Sequence, residues 1–218
     1  LRVIQLFSYN HPDLDFETEI TTLKTRLSDV GSATQIDQLF GLEGSAAKAY
    51  FEAFGRMLLC EFNFPGRKKH PSTDPVNALL SLTYTMIFNE ISSLLDGLGF
   101  DPYLGYYHSI DYGRASLASD LMEEFRAPIG DRLTLNLINN RVFGQGDFYS
   151  NPNDSSVYLK RESLKRYFVE YENMLNHEFI HPRTKENTTF RKSFRIQAER
   201  LASSIQNDSL YIPFELEI

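Results

Sequence analysis

The chain has 218 residues, of which 42% are hydrophobic and 23% charged, and its formal net charge is −7. This composition is ordinary for a soluble globular protein, and the length allows a sizeable core. No stretch reaches the roughly 18 uninterrupted apolar residues of a membrane span, so we expect no membrane segment. A single cysteine, Cys60, excludes an intrachain disulfide and favours a reducing, cytoplasmic setting.

The acidic net charge argues against nucleic-acid binding, but its distribution along the chain changes that interpretation. The segment from residue 158 to residue 200 has ten Lys or Arg and six Glu, which makes it +4 and leaves −11 for the remainder. Such an asymmetry allows a basic surface beside an acidic pocket. Basic helices with solvated faces explain the same distribution, so both interpretations stay open at this point.

The first 31 residues are expected to be less regular than the rest. Residues 1–16 have an irregular or strand-like pattern with a turn signal at residues 10–13, and residues 17–29 can form a short helix. The chain begins without an initiator Met or a signal-peptide layout. We therefore interpret residues 1–31 as the remnant of a preceding domain or a linker, and residues 32–218 as the main helical domain.

Helical patterns dominate from residue 32 onward. Ser32-Ala33-Thr34-Gln35 is a capping-box pattern, and apolar residues at helical spacing follow it from Ile36 to Phe54. Asp74 and Pro75 are typical of a helix N-cap and of the first helical position. The helix that they open, from Val76 to Leu95, is apolar almost all round and is expected in the middle of a bundle.

The second half of the chain continues this helical character. Gly97-Leu98-Gly99 predicts the end of the apolar helix. Ser116 is expected to cap the next helix, 117–126, which Ala127-Pro128 kinks or restarts. Further helices are expected at 131–142, 163–176 and 190–205, with a loop at 144–154 and a tail at 210–214. These patterns predict an all-α fold, a helical bundle with a nearly all-apolar central helix.

Glu43 stands out because it lies on the apolar stripe of its own helix, four residues before Ala47. A carboxylate that faces a core needs a cation, a metal ion or a proton to compensate it. A buried pair with an arginine such as Arg132 would meet that need as well as a metal ion. The flanking residues Gly41 and Gly44 allow a backbone or a phosphate to approach closely.

A second group of candidate residues follows the apolar helix. His108 ends a connector, and the next short helix has three acids at helical spacing, Asp120, Glu123 and Glu124. Acids so close repel one another unless a cation lies between them, although the positive end of the helix dipole would also offset the repulsion. An imidazole and several carboxylates together suit Mn²⁺ or Mg²⁺ better than a structural zinc site. The spacing alone leaves the choice between Glu123 and Glu124 open.

Four strings occur in a fixed order over roughly residues 35–145. They are Gly41-Leu42-Glu43-Gly44-Ser45-Ala46-Ala47, Asp74-Pro75-Val76-Asn77-Ala78-Leu79-Leu80-Ser81, Gly99-Phe100-Asp101-Pro102-Tyr103-Leu104-Gly105 and Ser116-Leu117-Ala118-Ser119-Asp120-Leu121-Met122-Glu123-Glu124-Phe125-Arg126. Tyr107-His108 and Tyr112-Gly113-Arg114 lie between the last two strings. In this order and at this spacing the strings resemble the CRISPR-associated integrases that insert new spacers, the Cas-one family.

The resemblance implies a metal-dependent DNA endonuclease and integrase, in which a 3′-hydroxyl or a water attacks a phosphodiester. The ligands that it implies for Mn²⁺ or Mg²⁺ are Glu43, His108 and Glu123, with Asp120 as a neighbour that tunes or assists the site. It further implies DNA as the substrate, a homodimer of the full-length protein and a Cas-two subunit as partner. The β-rich N-terminal domain through which the family dimerises is absent or only hinted at by residues 1–9.

Several basic and polar residues are expected near the DNA. The resemblance places Asn77 and Arg114 at motif positions near the DNA path, and Arg114 could contact a phosphate. The basic loop with Arg67, Lys68 and Lys69 is a further candidate for sequence-independent phosphate contacts. A non-catalytic helical scaffold that binds DNA or protein is the main alternative function, and a metal-dependent phosphoesterase of small substrates is a third.

Overall fold

The computed structural model describes residues 1–68, 71–108, 113 and 115–216. A π-helical turn at Arg126–Asp131 joins α5 to α6, and a 3₁₀ turn at Gln145–Asp147 precedes the first strand. The α-helices are α1 (Arg2–Asn10), α2 (Glu17–Val30), α3 (Ile36–Arg56), α4 (Pro75–Gly97), α5 (Ser116–Phe125), α6 (Arg132–Asn139), α7 (Arg161–Asn176) and α8 (Phe190–Gln206). The strands are β1 (Phe148–Ser150), β2 (Val157–Leu159), β3 (Glu178–Ile180) and β4 (Asn187–Thr189).

The predicted all-α class is wrong, because the chain also forms two small two-stranded sheets. β1 pairs with β2, and β3 pairs antiparallel with β4. Strands of three residues are too short to show the alternation of apolar and polar side chains that predicts a strand. The protein is therefore mainly helical with β additions. The register of β3 and β4 is Glu178↔Thr189, Phe179↔Thr188 and Ile180↔Asn187.

The chain divides into two compact units. Unit 1 comprises residues 1–78 and 135–158, and unit 2 comprises residues 79–134 and 159–216. Residues 1–31 belong to the same unit as α3, and the boundary that we predicted at residue 31 stays a prediction. Among the predicted site residues, Glu43 and Asn77 belong to unit 1, whereas His108, Asp120 and Glu123 belong to unit 2.

The first residues of unit 1 form a helix, α1, where an irregular or strand-like segment was predicted. Val3 and Ile4 are buried, and the ring of Phe7 stacks on that of His11 at a centroid distance of 4.3 Å. Residues four apart, such as Val3 and Phe7, share one face of a helix. With only nine residues, α1 is too short for this pattern to be recognised in the sequence.

α3 differs from its prediction at its start and in its burial. Its N-cap is Gln35, without a side-chain cap, and the hydroxyl of Ser32 donates to the carbonyl of Asp29 instead. The side chains of Ile36 and Phe40, at its beginning, are 46% and 40% exposed. The stripe that predicted a buried first half therefore faces solvent in unit 1. The buried residues of α3 lie in its second half and are Ala49, Ala53 and Phe54.

α4 is buried along one face and not all round, contrary to the prediction of a central apolar helix. Buried positions recur every three or four residues from Val76 to Leu95, whereas Leu82, Met86 and Phe88 are only half-buried. The length and hydropathy of α4 would also suit a membrane span, but this is weak evidence because the core helix of a soluble protein has the same properties.

Both ends of α4 follow the predicted signals. Asp74 caps the beginning, since its Oδ1 accepts the backbone N–H of Asn77 at 2.8 Å. At the other end Gly99 has φ +83°, and the N–H of Phe100 donates to the carbonyl of Leu95 at 3.0 Å. This is the glycine-terminated motif in which the chain leaves the helix through a left-handed residue. The connector to α5 begins there.

Candidate active site

One carboxylate, that of Asp120, ties the connector after α4 to α5. Its Oδ2 accepts the backbone N–H groups of Tyr106 at 2.6 Å and Tyr107 at 3.0 Å. Its Oδ1 accepts the backbone N–H of His108 at 2.9 Å and lies 2.7 Å from Nδ1 of the same residue. Four contacts to one side chain therefore fix the end of the connector and the imidazole together.

Gly105 is required for this close approach of the connector to α5. A methyl group at Gly105 would lie 2.7 Å from Cβ of Ser116 and 3.0 Å from Oδ2 of Asp120. The backbone is anchored just before this point as well, because the N–H of Leu117 donates to the carbonyl of Pro102 at 2.9 Å. A side chain at residue 105 would push the connector away from the carboxylate that holds His108.

The imidazole of His108 is oriented by Asp120 through one of its two nitrogens, Nδ1. The side chains of His108 and Asp120 are 16% and 13% exposed, so their contact is partly shielded from water. When Nδ1–H donates to the carboxylate, the neutral ring keeps its lone pair on Nε2. A carboxylate behind a histidine is also the arrangement that orients metal-binding histidines in proteins.

Glu123, one helical turn beyond Asp120, is paired with Arg126. Nη1 of Arg126 lies 2.6 Å from one carboxylate oxygen and 2.7 Å from the other. The guanidinium carbon also lies over the ring of Tyr84, 4.7 Å from its centroid. The hydroxyl of Tyr84 in turn donates to the carboxylate of Asp131, in the π-helical turn. Glu123 thus belongs to a network of alternating charges.

Glu124 has a different role from its neighbour, since it holds the C-terminal tail. Its carboxylate accepts from the hydroxyl of Tyr211 at 2.6 Å, the backbone N–H of Phe214 at 2.7 Å and the side-chain amide of Gln197 at 2.9 Å. Phe214 is 5% exposed and stacks on Phe125 at a centroid distance of 5.1 Å. The tail therefore packs on α5 within unit 2.

A cavity of about 340 Å³ lies beside the histidine–aspartate pair in unit 2. Tyrosine and leucine side chains form much of its wall, and Asp120 and Glu124 contribute to it. The opposite wall comes from α8 and the tail. The lining residues are Tyr106, Tyr107, Leu117, Asp120, Leu121, Glu124, Leu201, Ser204, Ile205, Ser209 and Tyr211.

Glu43 does not face a core, contrary to the argument from its apolar stripe. It is exposed on the first half of α3. An added methyl group at Gly41 or Gly44 would meet nothing within 4 Å, so the helix surface beside Glu43 is open. The exposure removes the need for a buried counter-charge, while the open surface is compatible with the approach of a large ligand.

Asn77 is fully buried and holds the basic loop before α4. Its Nδ2 donates to the carbonyl of Gly66 at 2.9 Å and to Oδ2 of Asp74 at 2.7 Å. Its Oδ1 accepts from Nη1 of Arg67 and from the backbone N–H of Lys68, both at 2.9 Å. The amide thereby fixes the part of the loop that carries the two cations.

Among the residues predicted for the metal site, the structure brings one pair into contact. His108 and Asp120 are in contact, and Glu123 lies on the same helix as Asp120. Within the described ranges, no three His, Cys, Asp or Glu side chains are grouped so that they could hold a metal ion. Arg114 and Lys69 lie outside the described residues. The donor chemistry of the predicted ligands fits a divalent cation, and the geometry supports it at His108 only.

Two functional contacts were missed at the sequence level. One is the ion pair of Arg126 with Glu123. The two residues lie three positions apart on one helix, and this spacing is a signal from which the pair could have been predicted. The attachment of Tyr211 to Glu124 joins residues 87 positions apart. Helical periodicity carries no information on such a distant contact.

Comparisons with known proteins agree on one family. A family model described as CRISPR associated protein Cas1 matches residues 1–173. The chain is 39% identical over 195 residues to CRISPR-associated endonuclease Cas1 3 of Thermus thermophilus, covering 88% of this chain and 58% of that protein. It is 35% identical over 192 residues to CRISPR-associated endonuclease Cas1 1 of Moorella thermoacetica, covering 86% and 56%. The chain thus spans a little more than half the length of these relatives.

Solved structures show the same fold. A structure entitled casposase bound to integration product superposes with a TM-score of 0.86 at 22% identity, over 100% of this chain and 63% of that one. A partial Cas6-RT-Cas1–Cas2 complex gives a TM-score of 0.80 at 29% identity, over 92% and 60%. The first likeness, at its low identity, supports the fold alone.

Proposed function

Since the chain belongs to the Cas1 family of CRISPR-associated proteins, we propose that it is the helical catalytic part of a DNA endonuclease and integrase of spacer acquisition. The observation that carries this proposal is the imidazole of His108, which Asp120 holds through Nδ1. The relatives are named as endonucleases, and the chain is 30–40% identical to them over the aligned residues, as in the 39% identity to the Thermus protein.

The proposed metal ligands are Glu43, His108 and Glu123, and the proposed ion is Mn²⁺ or Mg²⁺. Carboxylate oxygens and one imidazole are donors that such ions accept. A bound ion at these residues supplies the polarisation of a phosphodiester and the activation of the attacking oxygen, a water in cleavage and a 3′-hydroxyl in integration. This chemistry agrees with the family and with the donor set.

The protein's own side chains orient the proposed ligands. Asp120 keeps the proton of His108 on Nδ1 and holds the ring in one orientation, which leaves Nε2 as the ligand atom. Glu123 and Asp120 lie at i,i+3 on α5, so two of the acids share one rigid element. The helix therefore fixes the spacing of these two acids along the chain.

We further propose that the DNA backbone contacts Arg67, Lys68 and Arg114. Contacts to phosphates position the DNA without reading its sequence. Asn77 contributes by holding the loop that carries Arg67 and Lys68. The proposed partners are a second copy of the protein, which the resemblance implies, and a Cas2 subunit, which the similar complexes contain. The proposed location is the cytoplasm.

Titration with Mn²⁺ tests the metal site directly. We expect Mn²⁺ at one hundred times its dissociation constant to stabilise the folded chain by about 2.7 kcal/mol, because only the folded state binds it. The Glu43→Ala/His108→Ala variant should lose this stabilisation and the cleavage of duplex DNA. The matched control is Glu52→Ala/His177→Ala, which removes an exposed glutamate of α3 and an exposed histidine. Thermal unfolding and a DNA cleavage assay provide the two readouts.

Two outcomes would contradict the proposal. Wild-type protein that shows no shift with Mn²⁺ would remove the metal site, and an equal shift in the Glu43→Ala/His108→Ala variant would move it elsewhere. A non-catalytic DNA-binding scaffold remains the second candidate, favoured by the lack of a three-ligand group among the described residues. It predicts DNA binding that is independent of Mn²⁺ and unchanged by loss of His108.

A further inference from the structure

We propose that Arg126 is a latch on Glu123: it holds this carboxylate before a divalent cation binds and competes with the cation for it. The inference rests on the proposed function, because it takes Glu123 to be a metal ligand. It adds a residue that sets the affinity of the site for metal without being a ligand itself.

The latch is a contact between side chains one helical turn apart. Nη1 of Arg126 lies 2.6 Å and 2.7 Å from the two carboxylate oxygens of Glu123, so one nitrogen engages both oxygens. The side chain of Arg126 is 18% exposed and that of Glu123 is 33% exposed. A cation that approaches Glu123 therefore meets oxygens already paired with a positive charge.

Arg126 is held in place from its other side by a fixed aromatic ring. Its guanidinium carbon lies 4.7 Å from the ring centroid of Tyr84, and the hydroxyl of Tyr84 donates to Asp131. A methyl group at Gly130 would lie 2.6 Å from the same ring, which shows how closely the backbone packs on it. The π-helical turn begins at Arg126 and carries both Gly130 and Asp131 to the ring. Such turns are frequent at functional sites.

The positive charge of the latch is permanent. A guanidinium group is not deprotonated in proteins, so Arg126 carries its charge whether or not an ion is bound. A guanidinium that stays charged repels a second cation at the same carboxylate, with a strength that the partial exposure of the pair reduces. Removal of this charge should therefore tighten metal binding.

The test is the affinity of the folded chain for Mn²⁺, measured by calorimetric titration. We expect Arg126→Gln to bind Mn²⁺ about 2- to 5-fold more tightly than wild type, the range for loss of a partly exposed competing charge. Arg126→Lys should show a smaller change because the charge remains. Arg26→Gln is the matched control, since Arg26 forms an i,i+3 pair with Asp29 in unit 1, and it should leave the affinity unchanged.

The outcomes separate the latch from the metal site itself. Damage to the fold would weaken Mn²⁺ binding, so tighter binding cannot come from a merely structural role of Arg126. Equal or weaker binding by Arg126→Gln, with wild-type binding intact, overturns the latch and leaves the proposed function standing. Full wild-type affinity in Glu123→Gln overturns both the ligand assignment and the latch, and so does the failure of every protein in the series to bind Mn²⁺.

Discussion

Adjacent glutamates on α5 meet different surroundings, and the difference indicates what each carboxylate does. Glu123 faces Arg126 and remains a third exposed. Glu124 is enclosed by three hydrogen-bond donors from α8 and the tail. Burial raises the pKa of Glu124 above its usual range, although these donors and the charge of Arg200 lower it. Glu124 is thus occupied in holding the tail, which leaves Glu123 as the better candidate for a cation.

The raised pKa of Glu124 predicts a pH dependence of stability. The folded protein binds this proton more tightly than the unfolded chain, so the contribution is full below the unfolded pKa of about 4.5 and is lost as the pH rises through the folded value. We expect wild type to lose stability relative to Glu124→Gln over that window. Denaturant unfolding at a series of pH values from about 4 to 8 measures the difference.

The control for this prediction is Glu162→Gln, which neutralises an exposed glutamate at the beginning of α7. Its stability relative to wild type should stay nearly constant over the same range. A constant difference between wild type and Glu124→Gln would show that the carboxyl titrates alike in the folded and unfolded states.

At the scale of elements, helices of ten or more residues were predictable, whereas α1 and the strands were not. α2, α7 and α8 lie within two residues of their predicted ranges, because several turns of apolar periodicity define each of them. The strands have three residues each and α1 has nine, which is below the length at which a period can be recognised. The four strands were missed because they are short, and not because their composition is unusual.

The candidate site was predictable in its residue types but not in its contacts. His108 and Asp120 were candidates from their residue types and spacing, yet their contact depends on how the chain between them folds back onto α5. Glu43 was predicted to face a core because apolar residues share its helix face, but Phe40 on that face is itself 40% exposed. Apolar side chains are common on protein surfaces, so a stripe alone does not establish burial.

The packing of the connector on α5 predicts opposite effects of one substitution at two glycines. Gly105→Ala places a methyl group 2.7 Å from Ser116, and we expect it to lower the free energy of unfolding by about 1–3 kcal/mol. Gly41→Ala meets nothing within 4 Å in the interior of a helix and should raise that free energy by up to about 1 kcal/mol. Denaturant unfolding of both variants provides the comparison. Equal effects at the two positions would mean that the connector does not rely on this approach.

At the scale of the whole molecule, a net charge of −7 agrees with the proposed DNA substrate if cations are concentrated where the DNA lies. The segment from residue 158 to residue 200 has an excess of +4, and the loop before α4 adds Arg67 and Lys68. Solvated helix faces explain the first excess equally well. The loop is the more specific candidate, because the buried amide of Asn77 holds Gly66, Arg67 and Lys68 by hydrogen bonds.

A phosphate contact at Lys68 predicts a change in the salt dependence of DNA binding. Each phosphate that a cation neutralises contributes a slope of about −0.9 to the logarithm of the binding constant against the logarithm of salt concentration. We expect Lys68→Gln to reduce the slope by about that amount and to weaken binding equally for unrelated duplex sequences. Lys24→Gln, which removes an exposed lysine of α2 and the same net charge, should leave the slope unchanged. Fluorescence anisotropy at several salt concentrations measures these slopes. Equal slopes for wild type and Lys68→Gln would mean that Lys68 does not contact a phosphate.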